Sequence, residues 1–162
     1  MKKLIIFIGV ILVLVLGITF YLVYPAFNVI EKSDERPVAN QENVNIENNS
    51  FENEESAESV NIISQGEFIA SAHDVKGKAL IVEENGEKIL RFEDFETING
   101  PDLRIYLSND LNIDNSIDLG PIKATKGNVN YELDSEIDIK KYDKVLVWCR
   151  AFRVLFSYSD LN

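Results

Sequence analysis

The sequence predicts an all-β domain, a small antiparallel β-sandwich or barrel of about eight short strands, preceded by a single transmembrane helix and a disordered acidic linker. Three observations predict this organisation. Residues 4–24 carry no charge, and residues 28–65 are rich in Glu and Asn. In residues 66–162, apolar side chains recur with period two or in short runs bounded by Gly, Asn, Asp and Pro. We therefore divide the chain into residues 1–27, 28–65 and 66–162.

The first segment is typical of an uncleaved signal anchor. Its 21 uncharged residues would form a helix of roughly 31 Å, which matches the apolar core of a bilayer. Lys2 and Lys3 precede the helix and acidic residues follow it, so the positive-inside rule places the N-terminus in the cytoplasm. A cleaved signal peptide is the alternative. Under both interpretations, everything after Tyr24 is expected to be extracytoplasmic. With the uncleaved anchor, we expect a single-pass protein of the cell membrane.

The second segment, residues 28–65, has nine acidic residues against Lys32 and Arg36, and it has no glycine. Such a composition buries too little apolar surface to offset the conformational entropy lost on folding. It predicts a disordered spacer that keeps the following domain near the membrane, in preference to a cation or partner site.

The third segment contains eight candidate strands. They span residues 67–72, 78–83, 88–95, 102–108, 117–122, 128–133, 145–152 and 153–158. Asn85-Gly86, between the second and third strands, favours the positive φ values of a tight hairpin turn. Asn99-Gly100-Pro101-Asp102 is a second turn signal. Within it, we expect the Asp102 carboxylate to accept hydrogen bonds from nearby backbone N–H groups and so fix the turn.

The last two candidate strands are the most apolar part of this segment. Strand alternation predicts Val145, Val147 and Cys149 on one face, and Trp148 on the other together with Arg150, unless a bulge intervenes. Large aromatic side chains in the strands of a small β domain are expected to belong to the core, although they could instead line a ligand pocket. These aromatic residues are Phe92, Phe95, Trp148 and Phe152.

The composition excludes several functions. A formal charge of -11 opposes binding to nucleic acid, whose phosphates are neutralised by Lys and Arg. One Cys and one His cannot form an internal disulfide or the usual four-ligand zinc site. The sequence also has no Gly-x-Ser-x-Gly elbow and no phosphate-cradling loop. We therefore do not expect a self-sufficient enzyme.

Four blocks of the third segment resemble the DM13 domain family, and the resemblance covers about residues 66–161. The blocks are Gly66-Glu67-Phe68 with 73–79, 90–95 with 99–108, 118–120 with 126–128 and 131–133, and 147–152 with Phe156. The second block, which contains Asn99-Gly100-Pro101-Asp102, is the most specific. The fourth block places the family's cysteine at Cys149.

The resemblance implies electron transfer or redox modification outside the cytoplasm. The family is proposed to act in this way because animal members occur beside other redox modules, and its cysteine is suggested to be a free thiol or to bind a prosthetic group such as haem. For this chain it implies Cys149 as a redox thiol and a partner that supplies the cofactor. The alternative is a non-catalytic binding or adhesion domain at the cell surface, with Cys149 buried in its core.

Cys149 and His73 are the residues that could carry chemistry. The reactive species of Cys149 is the thiolate, which Arg150 or Arg153 could stabilise, although alternation points Arg150 to the opposite face. A free cysteine can equally be a small core residue. His73 is expected in a loop, where it could ligate a metal or haem iron together with Cys149, or could be an ordinary loop histidine. Nothing else in the sequence supports haem.

Overall fold

The structure is a computed structural model that describes residues 2–24, 28–37 and 61–162. These residues form one helix and nine strands. The elements are α1 (Lys2–Val23), β1 (Glu31–Ser33), β2 (Asn61–Ala70), β3 (Val75–Glu84), β4 (Glu87–Thr97), β5 (Leu103–Ser108), β6 (Ile117–Pro121), β7 (Lys126–Leu133), β8 (Lys144–Cys149) and β9 (Val154–Asp160). The predicted all-β character of the domain is confirmed.

The nine strands form a single curled sheet in the order β1-β7-β4-β3-β2-β9-β8-β5-β6. Neighbouring strands are antiparallel, except that β1 pairs with β7 in parallel. β2 joins the two halves of the sheet because it pairs with β3 over Asn61–Glu67 and with β9 over Phe68–Ala70. The shape is a half-barrel, so the predicted sandwich or barrel of about eight strands was an approximation.

One face of the curled sheet encloses the hydrophobic core. Val145, Val147 and Cys149 all belong to this core, as the alternation of the sequence predicts. Phe92 and Phe95 are also in it, and they form a cluster of rings with Phe68, whose centroid is 4.9 Å from that of Phe92. The aromatic side chains of β4 are therefore structural.

The hairpin between β8 and β9 differs from the prediction that residues 145–152 form one strand. β8 ends at Cys149, and residues 150–153 form a turn in which Arg153 has a φ of 54°. The pairing also shifts register between Val147 and Trp148. As a result Phe152, expected in the core, is 51% exposed. Alternation alone could not reveal this because the bulge and the turn change which residues face inwards.

Residues 28–37 lie against the sheet, although the sequence predicts a spacer there. Ile30 exchanges hydrogen bonds with Thr125: its N–H donates to Thr125 Oγ1 at 2.8 Å, and its carbonyl accepts from Thr125 N at 2.8 Å. A Cβ atom at Gly127 would clash with the carbonyl of Lys32, so β1 can approach β7 only because that position is glycine. Most of the predicted spacer lies outside the described residues, but its first ten residues are bound to the domain.

The helix α1 is long and apolar enough to cross a membrane, judged by its length and composition. Its residues 2–21 have a mean hydropathy of 3.0. A signal sequence near an N-terminus has the same properties, so α1 is compatible with a membrane anchor and with a signal peptide.

Candidate functional site

An apolar cleft of about 250 Å³ opens beside the loop that follows β2. Its lining residues are His73, Ile98, Asn99, Gly100, Pro101, Phe152, Val154 and Phe156. The cleft brings together His73 and the Asn99-Gly100-Pro101 turn, which are far apart in the sequence. We call it the His73 cleft.

His73 lies between β2 and β3, in a loop as predicted. Its backbone N–H donates to the carbonyl of Phe156 at 3.2 Å, and its ring packs on that of Phe156 with the centroids 4.0 Å apart. These two contacts fix the imidazole against β9. The ring is half-buried and forms one wall of the cleft.

The Asn99-Gly100-Pro101 turn forms another wall. Asn99 Oδ1 accepts from Gly100 N at 2.8 Å, and Asn99 Nδ2 donates to the carbonyl of Asn28 at 3.2 Å. A Cβ at Gly100 would lie only 3.1 Å from Cζ of Phe156, so glycine lets the turn pack closely on that ring. The turn thus links the cleft to the segment that follows the helix.

Cys149 is a free cysteine and its exposed fraction is 0%. It belongs to the hydrophobic core, opposite Leu103 on β5 and Val154 on β9. Cys149 does not line the His73 cleft, but Val154 does. The thiol is therefore separated from the cleft by the residue with which it pairs.

Asp102 and Arg150 form an ion pair that the sequence did not suggest. Arg150 Nε donates to Asp102 Oδ2 at 2.7 Å, and Arg150 N donates to the Asp102 carbonyl at 2.9 Å. The Asp102 carboxylate was expected to accept from nearby backbone N–H groups, but the side-chain bond that it accepts comes from Arg150. The Arg150 guanidinium, considered as a neighbour of the Cys149 thiolate, is thus bound to the carboxylate of the residue just before β5.

Trp148 is half-buried and does not belong to the hydrophobic core cluster. Its register partners are Arg104 on β5 and Leu155 on β9, and its indole Nε1 is buried without a hydrogen-bond partner in the part of the chain that the structure describes. The expectation that Trp148 is a core residue is therefore wrong. It lies on the opposite face of β8 from Cys149, away from the thiol.

Glu93 is the centre of a buried charge cluster on the other half of the sheet. Its carboxylate accepts from Arg36 at 2.6 Å and from Arg91 at 2.9 Å, and Lys78 Nζ lies 3.3 Å away. Burial alone raises the pKa of Glu93, but the bonds from the three cations outweigh it and lower the pKa to about 2. This cluster joins residues 28–37 to β4. It could not be predicted from the sequence because Arg36 and Glu93 are 57 positions apart.

A haem does not fit the His73 cleft. Ligand pockets usually have volumes of about 300–1,000 Å³, and this cleft is smaller than the lower limit. Cys149 does not reach it, so His73 and Cys149 do not share a cavity in which both could bind iron. Within residues 2–24, 28–37 and 61–162, no group of three or more His, Cys, Asp or Glu side chains could hold a metal ion.

The described residues thus form a β domain, a curled sheet with a small apolar cleft and a buried cysteine. Residues 67–161 match the family model described as "Electron transfer DM13". The match covers more than half of the chain, so this protein belongs to the DM13 family. No curated protein and no solved structure matches the chain.

Proposed function

We propose that this protein is a membrane-anchored electron-transfer or thiol-redox domain that acts outside the cytoplasm through Cys149. In this proposal a partner that carries the cofactor docks at the His73 cleft. Membership of the DM13 family supports the general electron-transfer role. The length and apolar composition of α1 support the anchor.

The observation that carries the proposal is the position of Val154. It lines the His73 cleft and is the cross-strand partner of Cys149. Directly opposed residues in an antiparallel pair have Cα atoms about 4.5–5.5 Å apart. A group docked in the cleft would therefore be separated from the thiol by about one side chain.

The chemistry open to Cys149 is limited by its being the only cysteine of the chain. Its thiolate can attack a disulfide of a partner, forming a mixed disulfide while the partner's other sulfur leaves as a thiolate. It can also attack a peroxide, breaking the O–O bond to give a sulfenic acid and a water or alcohol molecule. In the first case Cys149 becomes one half of a disulfide and one sulfur of the partner is reduced to a thiolate. In the second case the sulfur is oxidised by two electrons and the peroxide is reduced by two.

Access to Cys149 requires movement of the turn formed by residues 150–153. The exposed fraction of Cys149 is 0%, so no reagent reaches the sulfur in the closed structure. The turn is exposed, and it is bound to the rest of the domain through the Arg150–Asp102 ion pair. Its opening would uncover the end of β8, where Cys149 lies.

The complete burial of Cys149 favours a second function, a binding or adhesion domain without redox chemistry. In that case Cys149 packs as a small apolar residue, and the His73 cleft accommodates an apolar group of a surface partner. The two functions differ in whether the thiol reacts while the domain is folded.

A thiol titration of the full-length chain in detergent separates the two functions. The folded and denatured proteins are mixed with a chromogenic disulfide reagent across a range of pH. For a redox domain, Cys149 reacts slowly but measurably while folded, and Val154→Ala accelerates the reaction because it thins the wall between cleft and sulfur. Val129→Ala is the matched control, since Val129 is a buried core valine on β7.

A reaction seen only after denaturation, in the unsubstituted chain and in Val154→Ala alike, would overturn the redox role and leave the binding domain. Equal acceleration by Val154→Ala and Val129→Ala would also count against it, because it would mean that general loosening of the core exposes the thiol. Cys149→Ser provides the blank for both series.

A further inference from the structure

We propose that the rim of the His73 cleft lies on the surface of the bilayer in which α1 is anchored, with Val29, Ile98 and Phe152 in contact with lipid. The inference goes beyond the proposed function and rests on its membrane anchor. It concerns the face that the domain turns to the membrane, which the anchor alone does not determine.

The three apolar side chains lie along two adjoining clefts. Val29 and Ile98 line one surface cleft, and Ile98 and Phe152 line the adjoining His73 cleft. Their exposed fractions are 65%, 43% and 51%. Exposed apolar side chains that adjoin one another mark interaction surfaces more often than isolated ones do. We call these three residues the apolar rim.

The covalent path from α1 identifies the bilayer as the surface that covers this rim. Asn28 is bound to the domain through the hydrogen bond from Asn99 Nδ2 to its carbonyl. Four peptide bonds separate Tyr24 at the end of the helix from Asn28, so their Cα atoms are at most about 15 Å apart. Asn99 itself lines both clefts. The end of the helix is therefore tied to the edge of the domain that carries the apolar rim.

One cation of the β8–β9 turn agrees with a lipid surface. Phe152 stands between Arg150, which is paired with Asp102, and Arg153, which is exposed. A cation beside an apolar side chain suits the headgroup layer, where the apolar group inserts and the cation faces phosphate. Asp74 and Glu96 line the cleft that Val29 and Ile98 share, so the contact depends on the three apolar side chains and on Arg153.

The test uses the full-length chain in lipid nanodiscs, with a tryptophan placed on the rim. Phe152→Trp and Ile98→Trp report on the rim, and Leu111→Trp is the matched control. Leu111 is 44% exposed and follows the far end of β5, about 20 Å from the cleft for a strand of this length. Lipids brominated on the upper acyl chain quench tryptophan by contact, and the unsubstituted chain gives the background from Trp148.

We expect brominated lipid to reduce the added emission at positions 152 and 98 about twofold, because a side chain buried in the interface reaches the upper acyl chain. The emission at position 111 should not change. Unquenched emission at both rim positions in disc-bound protein would overturn the inference and leave the electron-transfer proposal intact. A blue shift without quenching would overturn it too, since a second copy or another segment of the chain would then cover the rim.

Failure of the anchor itself has a different signature. If α1 is removed as a signal peptide, the purified chain lacks its N-terminal residues by mass and does not co-purify with the discs. That result would overturn both the membrane anchor and the inference, and it is recorded before any fluorescence measurement.

Discussion

Arg150 Nε lies 2.7 Å from Asp102 Oδ2, and the backbone N–H of Arg150 donates to the carbonyl of Asp102. The residue that follows Cys149 is thus bound through side chain and main chain to the residue that precedes β5. This pair closes the end of the domain at which the thiol lies.

We expect Arg150→Ala to lower the free energy of unfolding by no more than about 1 kcal/mol, because the pair is solvent-exposed. The same substitution should increase the reactivity of Cys149 in the folded state, since the turn loses its side-chain attachment. Urea unfolding and thiol titration measure the two effects. Arg153→Ala is the control in the same turn, and an equal increase in thiol reactivity there would contradict a role for the Asp102 pair.

The depressed pKa of Glu93 predicts a loss of stability in acid. Burial raises this pKa, but Arg36, Arg91 and Lys78 together lower it from 4.5 to about 2. The folded state therefore prefers the carboxylate, and its contribution, at most about 3 kcal/mol because solvent screens the exposed Arg36 and Lys78, is present above pH 4.5. It is lost as the pH falls from about 4.5 to about 2.

Denaturant unfolding at several pH values measures this dependence. Glu93→Gln should flatten the stability profile between pH 2 and 4.5 while lowering stability at neutral pH, because the buried Arg91 keeps its neutral acceptors but loses its carboxylate partner. Glu132→Gln is the control on the neighbouring strand, as Glu132 is exposed. A steep acid profile that persists in Glu93→Gln would assign the pH dependence to other carboxyl groups.

Gly127→Ala should release residues 28–37 from the sheet. A Cβ at this position meets the backbone of Lys32, and the φ of 111° adds strain for any L side chain. Gly120→Ala is a matched control, because Gly120 has a φ of 104° but has no atom within 4 Å of its would-be Cβ. Hydrogen exchange over residues 28–37 should accelerate in Gly127→Ala alone. If residues 28–37 stay protected from exchange in Gly127→Ala, contacts other than the pairing of β1 with β7 hold this segment to the domain.

Substitutions of Cys149 distinguish an apolar environment from a polar one. Cys149→Ser places a hydroxyl among Leu103, Val154 and the rest of the core, which costs about 1–3 kcal/mol when the hydroxyl has no partner. Cys149→Ala removes the sulfur without adding a polar atom, so it should destabilise less. Urea unfolding measures the free energy of unfolding of both variants. A serine variant as stable as the alanine variant would show that the site provides a hydrogen-bond partner.

The sequence predicted the strands well where side-chain pattern decides them. Asn85 and Gly86 take φ values of 52° and 82°, as the predicted hairpin turn requires. Each of the eight candidate strands overlaps an observed strand. β1 could not be predicted because its three residues are all exposed and pair through the backbone, which leaves no periodic pattern in the sequence.

The candidate site was predicted only in part. His73 and the Asn99-Gly100-Pro101 turn were selected from the sequence, and the structure brings them together around one cleft. Phe152, considered in the alternative as a pocket residue, also lines it, as does Ile98. Val154 and Phe156 were not selected as site residues. They face it because the pairing of β8 with β9 shifts register, and such a shift depends on tertiary packing and not on local sequence.

The attachment of residues 28–37 changes what a break in the chain would do. The chain is held by the same sheet on both sides of residues 38–60. Before them, Arg36 is bonded to Glu93 of β4, and after them, Asn61 is the first residue of β2. A protease that cut between residues 38 and 60 would leave two fragments held together by β1–β7 pairing and the Arg36–Glu93 bonds. In a chain anchored by α1, the β domain would therefore stay at the membrane after such a nick, and its release would require a cut between α1 and residue 28.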